Sequence, residues 1–67
     1  MSKIAILGAA ESGVGAAVLA QKKGYDVFVS DMGSIKQHYK DILDQYGVEW
    51  EEGRHTSEKI IDSEEII

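Results

Sequence analysis

The sequence contains no cysteine, few basic residues and no long apolar run. Without cysteine the chain forms neither disulfides nor thiolate metal sites, and it carries no sign of an oxidising compartment. Seven basic and twelve acidic residues give a net charge of −5. A chain of this charge lacks the excess of basic residues that is typical of proteins that bind nucleic acid. No stretch approaches the roughly 20 apolar residues of a membrane helix, and the opening MSKIAIL lacks the apolar core of a secretory signal. We therefore expect a cytoplasmic protein that binds neither nucleic acid nor membranes.

The length of 67 residues, with 43% hydrophobic and 28% charged residues, is enough for one small soluble domain. A domain of this size buries only about 60% of the surface that its unfolded chain exposes. The chain ends on EEII, which has the pattern of a strand that is just beginning. We interpret residues 1–67 as the N-terminal part of a longer, multidomain protein, with a naturally short chain as the alternative. An unpaired sheet edge in such a piece would favour dimerisation or strand exchange.

Strand and helix patterns alternate along the chain. Short apolar runs bounded by glycine or acid indicate buried parallel strands, and apolar residues at helical spacing indicate the helices between them. The expected order is strand Lys3–Leu7, a helix from an N-cap at Ser12 to Lys22, strand Asp26–Ser30, a helical stripe from Ile35 to Tyr46, edge strand Val48–Glu51, a short helix capped by Thr56 or Ser57, and a strand opening at Glu64–Ile67. This order predicts an α/β fold, a Rossmann-like parallel sheet with flanking helices, truncated after the start of the fourth strand.

The turn GAAESGVG follows the first strand directly. It resembles the dinucleotide fingerprint G-x-G-x-x-G, with Gly8 and Gly13 at its ends and Ala10 in place of the middle glycine. The first glycine permits a tight turn, and the last permits close contact between helix and strand. A methyl group at the middle position narrows the approach to a pyrophosphate, and the carboxylate of Glu11 would repel one. The turn is typical of a nucleotide site but fits the usual NAD pose poorly, and a purely structural turn is the alternative.

Asp31 ends the second strand, 18 residues after Gly13. A carboxylate at that position can accept hydrogen bonds from ribose hydroxyls or from a base N–H. A helix-capping or turn aspartate is the alternative role. Asp31 also supports an alternative function, the NAD-binding domain of an oxidoreductase. Ala10 and Glu11 in the glycine turn argue against this alternative. A regulatory nucleotide-sensing or assembly module is a third possibility.

The lines ILGAAESGVGAAVLAQKKGYDVFVSD and GVEWEEGRHTSEKIIDSEEII together resemble the N-terminal domain of the Mur ligases, and within that family the branch that adds D-glutamate. The resemblance implies a Rossmann-like domain that binds UDP-N-acetylmuramoyl-L-alanine rather than NAD. It also implies that ATP and Mg²⁺ are used by the remaining domains of a longer peptidoglycan ligase, and that no cofactor binds within these residues.

The resemblance also implies site residues. Glu11, Ser12 and Gly13 match the loop that contacts the uridine diphosphate portion. Asp31, Met32 and Gly33 match the segment that contacts uracil and ribose, although relatives often place a hydroxyl and a basic side chain after the aspartate. We expect backbone N–H groups at Ser12 and Gly13 to meet a phosphate oxygen, with Glu11 turned aside.

The remaining polar residues do not indicate catalysis. No G-x-x-x-x-G-K-[ST] line is present, so we expect no ATP site, no catalytic residue and no ligation by these residues alone. His38 and His55 have no second ligand at metal spacing and are predicted to be solvated. His55 and Thr56 match a family loop that borders the substrate or caps a helix. The acids Glu49, Glu51, Glu52, Glu64 and Glu65 are predicted to be solvated or to protect strand edges.

Overall fold

The structure, a computed structural model, describes residues 2–67. Its elements are β1 (Lys3–Leu7), α1 (Glu11–Lys22), β2 (Asp26–Asp31), α2 (Gln37–Gln45), β3 (Glu49–Glu52), α3 (Ser57–Ile61) and β4 (Glu65–Ile66). Over this range no helix combines the length and the apolar content that are needed to cross a membrane.

The four strands form one parallel sheet in the order β3-β2-β1-β4. The chain steps outward from β1 to β2 and β3 and then crosses back to place β4 on the other side of β1. The strand order therefore reverses beside β1, and in open parallel sheets ligands bind at the carboxyl ends of the strands at such a switch point. The predicted fold class, a truncated Rossmann-like parallel sheet, is confirmed.

One face of the sheet forms the main core with α1 and α2. The strand register pairs Ile4 with Val27 and Ile6 with Val29, so these side chains lie together on that face. The core cluster that they join is Ile4, Ile6, Ala9, Val14, Ala17, Val27, Val29, Ile35, Leu43 and Val48. The near-continuous apolar character of KIAIL and DVFVS follows, because both strands are central and buried on both faces.

The short helix α3 lies on the opposite face. Phe28, which alternates with the core-facing valines of β2, is 8% exposed and has the ammonium of Lys59 4.9 Å from its ring centroid. A right-handed crossover explains this placement, because the chain travels from β3 to β4 in the direction opposite to its first two crossovers. Both faces of the central strands are therefore covered.

The local predictions were correct at the helix ends but partly wrong at the helix starts. Gly24 and Gly47 end α1 and α2 with φ of 92° and 71°, values that favour glycine. The predicted N-cap at Ser12 was wrong, since Ala10 caps α1 and Ser12 is its second residue. The third predicted strand was also shifted by one residue, because β3 spans Glu49–Glu52 rather than Val48–Glu51. Its position at the edge of the sheet is confirmed.

Candidate functional site

A cleft of about 360 Å³ opens at the carboxyl end of the sheet, beside the switch point. The turn after β1 forms its floor, the start of α1 forms one wall, and the ends of β2 and β4 border it. The lining residues are Ile6, Leu7, Gly8, Ala9, Ala10, Ser12, Gly13, Ala16, Asp31 and Ile67. The topology alone therefore places the glycine turn and Asp31 around one opening.

The two end glycines of the turn have the roles that the fingerprint predicts. Gly8 has a φ of 107°, which an L side chain rarely adopts. A Cβ at Gly13 would lie 2.0 Å from the carbonyl oxygen of Gly8 and 3.5 Å from Cγ2 of Ile6. Only glycine at this position lets the first turn of α1 pack directly against the end of β1. The helix N-terminus is thereby held at the cleft.

The start of α1 places backbone N–H donors at the cleft. Ala10 has extended backbone and no side chain that can cap the helix, and the first intrahelical bond runs from the N–H of Val14 to the carbonyl of Ala10. The N–H groups of Glu11, Ser12 and Gly13 precede that bond, and such groups are the usual donors to an anion at a helix N-terminus. The hydroxyl of Ser12 stands beside them on an exposed residue.

Asp31 joins the two turns that border the cleft. Its Oδ2 accepts a hydrogen bond from the N–H of Ala9, and its Oδ1 accepts one from the N–H of Gly33, both at 2.8 Å. These amides, with a weaker contribution from the charge of His55, lower the pKa of the Asp31 carboxyl against the opposing effect of burial. The bond to Gly33 is that of a turn aspartate. Each carboxylate oxygen keeps a further acceptor position, so the same group is also able to bind a ligand.

The cleft unites three of the six residues predicted to bind substrate, namely Ser12, Gly13 and Asp31. Glu11 instead borders a groove between α1 and α2, next to His38 and Tyr39. The carboxylate of Glu11 is therefore not among the groups that line the cleft.

The other two predicted residues, Met32 and Gly33, follow Asp31 in the turn. The side chain of Met32 is 62% exposed. The backbone of Gly33 is engaged at both ends, because its N–H donates to Asp31 and its carbonyl accepts from the N–H of Gly53. This second bond ties the turn after β2 to the loop after β3.

The prediction that Glu51 is solvated was wrong. Glu51 is 9% exposed, and its carboxylate accepts hydrogen bonds from the hydroxyl of Ser30 and from both the N–H and the hydroxyl of Thr56. Burial alone would raise the pKa of Glu51, but these bonds and the nearby charge of Arg54 outweigh burial and lower the pKa to about 2. The pairing of Glu51 with Ser30 depends on the register of β2 and β3, which the sequence alone does not specify.

His55 belongs to the same cluster. Its ring is exposed as predicted, but Nδ1 lies 2.5 Å from the hydroxyl of Ser30, which is fully buried. The hydroxyl of Thr56 binds Glu51 and does not cap α3, although Thr56 stands at the N-cap position. The sequence therefore located the loop but not the buried carboxylate that anchors it. Within residues 2–67 no three histidine, cysteine or acidic side chains are grouped as metal ligands.

The depressed carboxyl pKa values predict loss of stability in acid. The pKa is lowered in Glu51, Asp31, Glu52 and Asp62, so the unfolded state binds more protons than the folded state as the pH falls. Stability should be complete above about pH 5 and should fall progressively toward about pH 2. Urea midpoints measured across this range test the prediction. A midpoint that stays constant down to about pH 3 would contradict it.

The fold and the cleft define a class of protein, the Rossmann-like α/β domains that bind a ligand at the carboxyl end of a parallel sheet. Comparison with known families is more specific. The model of the MurD N-terminal domain matches residues 3–67, and the chain belongs to that family.

Curated relatives agree with this assignment. The chain is 58% identical over its whole length to a UDP-N-acetylmuramoylalanine–D-glutamate ligase of Bacteroides fragilis, of which it covers 15%. It is 52% identical over 97% of its length to the ligase of that name from Christiangramia forsetii, of which it covers 15%. It is 49% identical over 97% of its length to that of Cytophaga hutchinsonii, of which it covers 14%. The chain thus spans about one seventh of the relatives that it matches.

No solved structure matches the chain significantly. Nothing in these comparisons supports the alternative of an NAD-binding oxidoreductase, because the family model and the relatives named above are of the ligase type. The resemblance that the two sequence lines suggested is confirmed.

Proposed function

We propose that these residues form the part of an ATP-dependent ligase that binds UDP-N-acetylmuramoyl-L-alanine, in the cytoplasmic pathway that builds peptidoglycan. One observation carries the proposal: the N-terminus of α1 and the carboxylate of Asp31 border one cleft at the switch point of the sheet. The family membership of the chain gives this cleft its ligand class. D-glutamate is the amino acid in the names of the relatives.

The two sides of the cleft suit the two ends of a uridine diphosphate. Backbone N–H groups at Ser12 and Gly13 lie at the positive end of a 12-residue helix, and they complement a phosphate oxygen without any basic side chain. The carboxylate of Asp31 complements a hydroxyl or base N–H. Contacts of Glu11, Met32 and Gly33 with the ligand stay predictions. They would lie at the rim, where the turn after β2 and the start of α1 meet solvent.

The chemistry of ligation would belong to other parts of the longer enzyme. The residues here include no phosphate-binding G-x-x-x-x-G-K-[ST] line and, within residues 2–67, no cluster of metal ligands. They therefore do not fit ATP and Mg²⁺, which the remaining domains would hold. On this proposal the chain alone binds substrate weakly, because one wall of the pocket is missing, and it does not catalyse ligation.

Titration of the ¹⁵N-labelled chain with UDP-N-acetylmuramoyl-L-alanine, UDP and NADH tests the ligand class. The backbone amides of Gly8, Ser12, Gly13 and Asp31 should shift with both uridine compounds and more weakly, or not at all, with NADH. A response to NADH without any response to the uridine compounds would overturn the proposal.

The change Asp31→Asn should weaken binding of UDP-N-acetylmuramoyl-L-alanine by roughly 10- to 100-fold, since hydrogen bonds to charged groups contribute about 1.5–3 kcal/mol. Asp26→Asn is the matched control, because Asp26 is exposed at the opposite end of the same strand. The NMR titration gives both affinities, and the spectrum of each variant reports whether it is folded. If the two folded variants bind the ligand with equal affinity, Asp31 is not part of the binding site.

A further inference from the structure

A buried polar cluster lies next to the candidate site, on the face of the sheet that carries α3. Ser30 of β2 and Glu51 of β3 are paired in the sheet register, so their side chains share one face. Ser30 is fully buried and Glu51 is 9% exposed. His55, in the loop between β3 and α3, closes the cluster from the solvent side.

The hydroxyl of Ser30 has three polar neighbours but only one hydrogen. It lies 2.8 Å from Oε2 of Glu51, 3.1 Å from the carbonyl oxygen of Arg54 and 2.5 Å from Nδ1 of His55. The carboxylate and the carbonyl can only accept hydrogen bonds, so the Ser30 hydrogen must point to one of them. The charged carboxylate is the stronger acceptor.

The remaining contact determines the state of His55. Once the Ser30 hydrogen is directed to Glu51, the oxygen of Ser30 can only accept from the imidazole. Nδ1 of His55 must therefore carry a hydrogen, and in the neutral ring Nε2 is then the acceptor. The opposite tautomer would leave lone pairs of Ser30 facing both the Glu51 carboxylate and the Arg54 carbonyl, in a buried site where an unmade hydrogen bond is expensive.

Glu51 also holds the loop that carries the imidazole. Both the N–H and the hydroxyl of Thr56, the residue after His55, donate to its carboxylate. Arg54, the residue before, has Nε 3.4 Å from Oε1 of the same group. The position of His55 is therefore fixed from both sides by one buried acid. No group of residues 2–67 is hydrogen-bonded to Nε2 of this ring.

The imidazole stands near the candidate site. Its Nδ1 lies 2.5 Å from the hydroxyl of Ser30, and Ser30 directly precedes Asp31 on β2. His55 lies outside the lining of the cleft. A ligand that extends past Asp31 toward His55 would meet two acceptors, the oxygens of Asp31 and Nε2 of the neutral ring, so hydrogen-bond donors suit that part of the ligand. A phosphate, which offers only acceptors, suits the N-terminus of α1 instead.

We propose that Glu51 and Ser30 are positioning residues that hold His55 in the Nδ1–H tautomer, and that Nε2 of His55 accepts a hydrogen bond from a sugar hydroxyl of the ligand bound beside Asp31. The assignment of the tautomer stands on the cluster alone. The contact with a ligand hydroxyl rests on the proposed function. The two parts can be tested in one sample.

Long-range ¹H–¹⁵N correlation spectra of chain labelled with ¹⁵N-histidine distinguish the two tautomers directly. With the neutral ring, His55 should be in the Nδ1–H form. His38 is the internal control, because its ring contacts only the ring of Tyr39 among the described aromatic groups, at 4.1 Å between centroids. If His55 of the unmodified chain is in the Nε2–H form, or shows the same mixture of tautomers as His38, the proposal is overturned.

The variant Ser30→Ala tests the link through the hydroxyl. Among residues 2–67, the hydroxyl of Ser30 is the group hydrogen-bonded to Nδ1. Once it is removed, the tautomer of His55 should return to that of His38 while the amide spectrum stays that of a folded chain. A folded Ser30→Ala variant in which His55 keeps the Nδ1–H form would contradict the role of Ser30. If the variant is unfolded, the tautomer in the unmodified chain decides the question.

Addition of UDP-N-acetylmuramoyl-L-alanine to the labelled chain tests the ligand contact. The Nε2 resonance of His55 should shift together with the amides of Ser12 and Gly13. If the amides shift and Nε2 does not, the contact is overturned while the proposed function stands. If no amide shifts, the proposed function fails and the contact fails with it, whereas the tautomer result is unaffected.

Discussion

Replacing Gly13 with alanine should destabilise the fold by about 3 kcal/mol or more, the upper end of the cost of overpacking. The added Cβ would lie 2.0 Å from the carbonyl oxygen of Gly8, and the clash is with backbone that no rotamer change can relieve. Small domains have roughly 0.05–0.15 kcal/mol of stability per residue, so the loss would remove much of the total. Thermal and urea unfolding followed by circular dichroism measures it.

Gly15→Ala is the matched control on the same helix. A Cβ at Gly15 meets no atom within 4 Å, and Gly15 lies in the interior of α1. Alanine there should stabilise the chain by about 0.5–1 kcal/mol, the usual difference between the two residues in a helix. The two changes are chemically identical and are predicted to have opposite signs. Equal effects at both positions would show that close contact of α1 with β1 does not determine the need for glycine.

Replacing Glu51 with glutamine should cost about 1.5–3 kcal/mol at neutral pH, the range for hydrogen bonds to a charged group. The substitution keeps the shape of the side chain but replaces one acceptor oxygen with a donor, in a cluster whose other members already donate. It also removes the charge that faces Arg54. Urea midpoints of the variant and the unmodified chain give the difference.

Glu49→Gln is the control for this change. Glu49 lies two residues earlier on the same strand and the same face, but it is exposed, and its carboxylate is paired with the exposed ammonium of Lys59. Exposed ion pairs contribute at most about 1 kcal/mol, so this variant should be nearly as stable as the unmodified chain. Glu51→Gln should also reduce the loss of stability in acid, because the group with a pKa of about 2 is then gone. Equal stability of the two variants would contradict a structural role for the buried acid.

Both predictions concern how the site is held in place. Gly13 sets the distance between the helix N-terminus and the end of β1, and Glu51 anchors the loop that holds His55 against Ser30. The first is visible in the sequence as the last glycine of a known turn. The second is not, because a glutamate on a short edge strand is normally solvated.

Ser12 and Gly24 also differ in how well the sequence alone predicted their roles. The sequence correctly predicts that Gly24 ends α1. The residue after a helix often adopts a left-handed backbone conformation that favours glycine, and this preference does not depend on tertiary contacts. Ser12 has the chemistry of an N-cap, but the N-cap of α1 is Ala10, two residues earlier, and the helix begins at Glu11. The tight turn at Gly8 sets the position at which the helix can begin. This backbone geometry outweighs the preference of the Ser12 side chain for the N-cap position.

The sequence by itself determined the order of strands and helices, the glycine turn, the acid at the end of the second strand and the family, because these depend on apolar periodicity and on residues whose backbone freedom is local. Only the tertiary structure decided that Ser12, Gly13 and Asp31 meet at one cleft while Glu11 turns to another groove. It alone also decided that the buried Ser30 and Glu51 form one hydrogen-bonded network with the exposed His55. The physical reason is strand register, which brings together side chains far apart in the chain and which no local pattern specifies.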